Sequence, residues 1–434
     1  MGHERFVPSL RVQRAAWCLF DFANSAFPTV ALTAFGSAYF QGVLARDGVA
    51  LGPLKLGPSS AWGAAISISF LAVTLTAPVL GALADQGRAR RKLLALYVLL
   101  CVGATAALAF VPPGAGLTAF LLYVVANFAF EGAYVFYNAF LPDLVPPERL
   151  GRLSGLGWAL GYGGGLGCLL IALPMVPERY DDAGASAASS VFLLVAGWYL
   201  VFSLPALLLL RERAADPVAA DEDGPPPTGF GAAWREVLGT LRSLPSHPSL
   251  LFFLLAYLLY NDGITTVIEF TGIFTKEALD FGPSENVVLF VLLNVVAAPG
   301  ALVFGHLVDR IGARRTISLT LLVWIAVVVL ASQVTTKAGF WPVGTLAAVV
   351  LGATQACSRA LMARLAPADR SAEYMGLLAL SGKASAVMGP LLYGLVADLA
   401  ARPGEPGSGH RVAIVSLGAL FAIAWLLLRK VRIR

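Results

Sequence analysis

Twelve apolar windows, each long enough to cross roughly 30 Å of hydrocarbon, constrain this chain before any motif is read. They run approximately over residues 15–40, 61–83, 92–111, 118–140, 154–174, 190–210, 250–274, 286–308, 316–333, 341–362, 374–397 and 411–428. A bilayer offers no partner to an unpaired backbone N–H or C=O, so each window is expected to be a helix. Only 13% of the 434 residues are charged, against about 25% in an average soluble domain. The composition therefore implies an all-α, multi-pass membrane protein. The first window is too long and too polar for a cleaved leader and is expected to stay in the mature chain.

Basic residues set the orientation, because Lys and Arg flanking a span stay on the cytoplasmic side. With the N-terminus inside, 23 of the 31 basic residues fall on the cytoplasmic side and 7 on the other, with Lys383 left inside a span. Both termini are expected in the cytoplasm, and the net charge of +5 follows from this asymmetry and not from a nucleic-acid surface. Cys18, Cys101, Cys168 and Cys357 all fall inside windows without metal-ligand spacing and read as small core residues.

Between the sixth and seventh windows lies "RERAADPVAADEDGPPPTG", rich in Pro, Gly and acids and poor in residues that pack. It divides the chain into residues 1–212, a cytoplasmic linker over 213–249, and residues 250–434, each flank carrying six windows. Within the linker, Phe230, Trp234, Val237, Leu238, Leu241 and Leu244 recur at helical spacing with Arg235 and Arg242 among them. That pattern suits a short helix on the membrane surface or a solvated linker helix. A duplication underlies the two halves: "GALADQGRARRK" from Gly81 and "GHLVDRIGARR" from Gly305 share the Gly-to-Asp spacing and stand 224 residues apart.

This pair of loops resembles the signature of the major facilitator superfamily: Gly, three residues, Asp, a basic residue, any residue, Gly, then basic residues. The second copy fits through Gly305, Asp309, Arg310, Gly312, Arg314 and Arg315; in the first, Gln86 stands at the basic position and Gly87 comes one residue early. The resemblance implies twelve transmembrane helices in two pseudo-symmetric six-helix bundles that rock about a central site. It also implies a gate built from Gly81, Asp85, Arg90, Arg91, Gly305, Asp309, Arg310, Gly312, Arg314 and Arg359. "WCLFDFANSAF", "YNAFLPDLVPPERLGRLSGLGWALGYGGG", "LLYNDG", "QACSRALMARLAP" and "GLLALSGKASAVMGPLLYG" narrow the likeness. They resemble the branch containing the fungal vacuolar amino-acid effluxer of autophagy and its bacterial relatives. That likeness implies a secondary transporter, moving amino acids or similar small polar solutes outward, in the plasma membrane of a bacterium.

Ionisable residues inside spans are expensive and mark candidate sites. In the superfamily, spans 1, 4, 7 and 10 line the cavity, and Asp21, Glu131, Asp262, Glu269 and Arg359 fall on them; Lys383, on span 11, is the exception. Asn127, Glu131, Tyr134 and Asn138 form one helical stripe, and Asp262, Thr266 and Glu269 another, its two carboxylates about 10 Å apart along one face. Asp21 and Asn24, beside Ser25, make a smaller patch on span one. These residues are expected to bind solute or carry protons, with Lys383 as counter-charge to a zwitterion.

Glycines from Gly155 to Gly167 are expected to admit a neighbouring helix, Gly389 and Pro390 to kink span eleven, and Trp17, Trp62 and Trp341 to anchor span ends at the interface. The sequence shows no HExxH, no Cys or His cluster, no phosphate loop and no nucleophile elbow, so no enzyme, metal or cofactor is expected. The expected partners are a lipid bilayer, a small-molecule substrate and protons, and the expected working unit is a monomer. A multidrug or organic-ion exporter of the same fold is the alternative within transport; a non-transporting receptor or scaffold is the alternative outside it.

Overall fold

Helices occupy the expected windows because apolar side chains can face lipid while each backbone pairs within itself. The computed structural model describes residues 8–86, 89–176, 185–212, 230–281, 283–385, 388–400, 402, 405 and 407–432. In chain order the helices begin with α1 (Leu10–Asn24), α2 (Gly36–Tyr39), α3 (Pro58–Gln86), α4 (Arg90–Leu108), α5 (Gly116–Ala139) and α6 (Leu141–Leu144). Next come α7 (Leu150–Ala172), α8 (Ala185–Leu209), α9 (Phe230–Ser243), α10 (Pro248–Leu279) and α11 (Pro283–Ile311). The chain ends with α12 (Ala313–Gln333), α13 (Lys337–Leu365), α14 (Ser371–Ser385), α15 (Met388–Ala400) and α16 (Ser408–Leu428).

Among the described residues, ten helices are long and apolar enough to cross a membrane, and one bent pair adds an eleventh span. The eleventh expected window, 374–397, is covered by α14 and α15, with residues 386–387 between them outside the described residues. The bent pair is the first window, and it departs from expectation. After α1 the chain runs as π-helix over Phe27–Ala34, turns by 45° into α2, and continues as π-helix over Phe40–Leu44. Phe35 N donates to Val30 O and Ala45 N to Phe40 O, five residues back in each case. Pro28, with no N–H to give, stands at the start of the first π run. A short antiparallel hairpin, β1 (Val49–Leu51) and β2 (Leu54–Leu56), follows and was not foreseen. Gly52 turns it, at a φ of 61°.

Contacts divide the chain into two units. The first comprises Met1–Leu144, Leu160–Ala233 and Ala368–Glu373; the second comprises Val145–Ala159, Trp234–Pro367 and Tyr374–Arg434. In the first, α4 packs on α5 and α8, α1 on α8, and α3 on α5. Trp17 belongs to this core and not to the interface: it is fully buried, stacks on Tyr137 at 4.6 Å and donates its indole N–H to the Tyr137 carbonyl. The glycine series on α7 admits α1, since a Cβ on Gly164 would overlap the Phe22 carbonyl and one on Gly161 would stand 2.8 Å from Ser25 Oγ.

In the second unit, α16 packs on α10, α12 and α15, and α13 on α11 and α12. Gly300 and Gly352 bring α11 and α13 together, each meeting a backbone carbonyl of the other helix, Val349 and Ala297 respectively. Lipid drives no helices together by the hydrophobic effect, so such close backbone contact supplies dispersion that larger residues would block. Gly352→Ala is expected to destabilise the protein by about 1–3 kcal/mol. Gly103→Ala, in open space on α4, should leave the melting temperature in detergent unchanged or raised.

Candidate functional site

The two duplicated loops build the same contact twice. In the first unit, Asp85 at the end of α3 accepts hydrogen bonds from Ala372 N (2.9 Å) and Glu373 N (3.0 Å), the opening N–H groups of α14. In the second, Asp309 at the end of α11 accepts from Gly151 N and Arg152 N, both at 3.0 Å, at the opening of α7. Each carboxylate meets the positive end of a helix and satisfies donors that helix cannot pair internally. The glycine four residues earlier permits the approach. A Cβ on Gly81 would overlap the Ala372 carbonyl, and one on Gly305 would stand 2.7 Å from the Gly151 carbonyl oxygen.

The copies differ in charge. Arg90 at the start of α4 donates to Asp85 at 2.6 Å and to Asp143 on α6 at 3.1 Å, and all three side chains are nearly inaccessible. Asp309 is half-buried and, among the described residues, pairs with no Arg. Arg310 is exposed, Gly312 turns the loop at a φ of 88°, and Arg314 donates to the Val431 carbonyl at 2.8 Å. Arg91 likewise leaves the acid, its backbone N–H going to Glu212 and its guanidinium to the Leu208 carbonyl. Of the loop arginines, Arg90 pairs with its acid, whereas Arg91 and Arg314 reach backbone carbonyls at helix ends. Arg359 on α13 is buried and holds α7 through Ser154, donating to its Oγ at 2.9 Å and its carbonyl at 2.7 Å, with Trp158 beneath the guanidinium. Asp143 and Ser154 complete these contacts and were missed; Asp143 stands in the quoted "LPDL" but one turn beyond the polar stripe.

Among the candidate solute residues of the first unit, Asp21 and Asn24 on α1 are buried, as are Asn127 and Asn138 on α5. Asn127 donates to Ser69 Oγ at 2.5 Å, which ties α5 to α3. Glu131 and Tyr134 lie between them in sequence and are partly exposed, so the expected stripe divides into buried ends and an accessible middle.

In the second unit the two carboxylates of "YNDGITTVIEF" part company. Asp262 and Thr266 on α10 are fully buried, whereas Glu269 is exposed. Their azimuths agree, as helical spacing requires; the cover does not. Gly389 on α15 lies over the first two so closely that a Cβ there would overlap Thr266 Oγ1 and stand 2.8 Å from Asp262 Oδ1. The Gly389 backbone N–H faces the carboxylate, yet neither Asp262 oxygen nor Thr266 Oγ1 has a hydrogen bond of normal geometry. Gly389, expected only to help kink its span, is thus part of the site wall. On the neighbouring turn, Asn261 donates to the Gly382 carbonyl (3.2 Å) and accepts from Gln355 on α13 (3.3 Å). Tyr260 shares a 2.7 Å hydrogen bond with Ser358. Lys383 is the residue after Gly382 on α14; its side chain lies outside the described residues.

The family model described as "Vacuole effluxer Atg22 like" matches residues 10–433. The chain belongs to this Atg22-like family. Its relatives include an uncharacterized MFS-type transporter, YxiO, of Bacillus subtilis (strain 168), 29% identical over 96% of this chain and 94% of that protein. Autophagy-related protein 22 of Yarrowia lipolytica is 23% identical over 76% of this chain and 70% of its own length. The crystal structure of a Major Facilitator Superfamily transporter, FucP, in the outward conformation shares the fold at 13% identity, with a TM-score of 0.68 over 98% of both chains. This Atg22-like chain is a multi-pass membrane transporter of the major facilitator fold, embedded in lipid and acting on a small molecule. It is not an enzyme.

The unequal compensation of the two loop acids gives an expected order of stability. Asp85→Ala removes a close charge partner from buried Arg90 and should cost about 3–5 kcal/mol. Asp309→Ala removes a helix cap and should cost about 0.5–2 kcal/mol; thermal unfolding of the two variants in one detergent checks the ranking.

Proposed function

We propose that this transporter moves amino acids or similar small polar solutes outward by alternating access, with protons as the coupling ion and Asp262 as the group that carries the coupling. One observation bears the reading: a carboxylate in the middle of a membrane span, fully buried, with neither oxygen in a hydrogen bond of normal geometry. Burying a polar group unpaired costs about 1–3 kcal/mol on mutational evidence, and a charge costs more. A Leu at this position would avoid that cost, which favours a transient partner for the acid, a proton or the ammonium of a solute. Thr266, equally buried and unpaired, stands one turn away as a second contact.

Other features support the reading. The bond from Asn261 to Gly382 holds Lys383 in the same neighbourhood at the level of the backbone, and a lysine near an acid suits a zwitterion, whose ends need both signs. Glu131 and Glu269 are accessible and serve as accessory acids. No ATP-binding signature is present in the sequence, and one proton moved through 100 mV supplies about 2.3 kcal/mol. Asp85 and Asp309 form the gate contacts, released and remade in each cycle. In this reading residues 1–212 and 250–434 are the two repeats, joined by the linker over 213–249. The protein works as a monomer in a bacterial inner membrane with both termini in the cytoplasm.

Reconstituted vesicles preloaded with amino acids test this. The native protein should release them faster when a pH gradient is imposed; Asp262→Asn should release them at a rate the gradient no longer alters. Thr266→Val should slow release about 10- to 150-fold, the equivalent of one hydrogen bond to a charged group. Release of organic cations in place of amino acids, background rates throughout, or an Asp262→Asn variant that still responds to the gradient would contradict the proposal.

A further inference from the structure

The apolar residues of α9 do not share one environment. Ala233, Val237 and Thr240 are buried, whereas Trp234 and Leu241 are exposed and Leu238 is intermediate. At 100° per residue these fall on two adjacent sectors of the helix. The buried sector centres on Ala233, Val237 and Thr240; the next, about 90° round, holds Trp234, Leu238 and Leu241. Arg235 and Arg242, both exposed, sit a further quarter-turn on and seven residues apart, so their side chains leave the helix in parallel. Protein-facing, apolar and basic sectors follow in that order.

This order matches what a helix meets where a protein emerges from a bilayer: protein on one side, acyl chains beneath, headgroups beyond. A merely solvated linker helix would gain nothing from exposing a Trp and a Leu in register with two Arg. We propose that α9 is a binding surface for anionic phospholipid, with Trp234 and Leu241 entering the acyl boundary and Arg235 and Arg242 holding headgroup phosphates. Guanidinium groups suit this task, since each offers a planar pair of donors to phosphate oxygens. The site is also mechanically connected. The 3₁₀ turn Leu244–Ser246 follows α9 directly, His247 N donates to the Leu244 carbonyl, and α10, which carries Asp262, begins at Pro248. Lipid held at α9 therefore constrains the cytoplasmic start of α10.

Native mass spectrometry of the full-length protein, with phosphatidylglycerol and phosphatidylcholine in competition, reads the site. The native protein should retain phosphatidylglycerol in preference. Arg235→Gln/Arg242→Gln should lose that preference by about fivefold per arginine, and Arg235→Lys/Arg242→Lys should keep most of it. Equal preference in native and Gln variants would overturn the proposal. Brominated-chain phosphatidylglycerol gives an independent reading, quenching the native fluorescence more than that of Trp234→Phe; equal quenching would overturn it as well. Melting temperatures in neutral lipid separate loss of the site from loss of the fold, since the proposal requires the Gln variant to match the native protein there.

Discussion

An acid placed in a membrane span, or at its end, has to be compensated, and this transporter compensates its acids unequally. Asp85 meets two helix N–H groups and a buried arginine; Asp309 meets two N–H groups; Asp262 faces the Gly389 N–H without a hydrogen bond of normal geometry. The first two arrangements hold helix starts in place and make sense as structure. The third fits the proposed function, in which its partner comes and goes. The degree of compensation thus separates acids that hold helix starts from the acid proposed to carry the coupling.

The compensated pair also explains why the duplicated loops keep their spacing. A carboxylate reaches the N–H groups of a second helix only if that helix can come close, and Gly81 and Gly305, one turn before each Asp, remove the Cβ that would prevent it. Arg90 adds a charge partner in the first copy, and Asp143 shares it. Carbonyls at helix ends claim Arg91 and Arg314. Dipole, glycine and arginine form one device in the first unit, and dipole and glycine alone form it in the second.

How much of this was legible in the sequence follows from what sets each feature. Span length is dictated by bilayer thickness, so the windows could be read directly, and the Gly-to-Asp repeat is local enough to see twice. The 45° turn in the first span could not be read, because an α-helix and a π-helix differ only in which carbonyl each N–H finds. Trp17 looked interfacial by position but packs on Tyr137, 120 residues away. Helical spacing placed Asp262 and Glu269 on one face correctly but could not say that Gly389 covers one and leaves the other open. Ser154, Asn261 and Gln355 were hidden for the same reason: their partners stand 94 to 205 residues distant, and no periodicity connects them.

The central claim, that Asp262 changes its protonation or its partner during the cycle, is most directly tested by infrared difference spectroscopy of the lipid-reconstituted protein as solute is added. A change in carboxyl stretching that is present in the native protein and absent in Asp262→Asn is the predicted result. The same spectrum in both proteins would contradict the account.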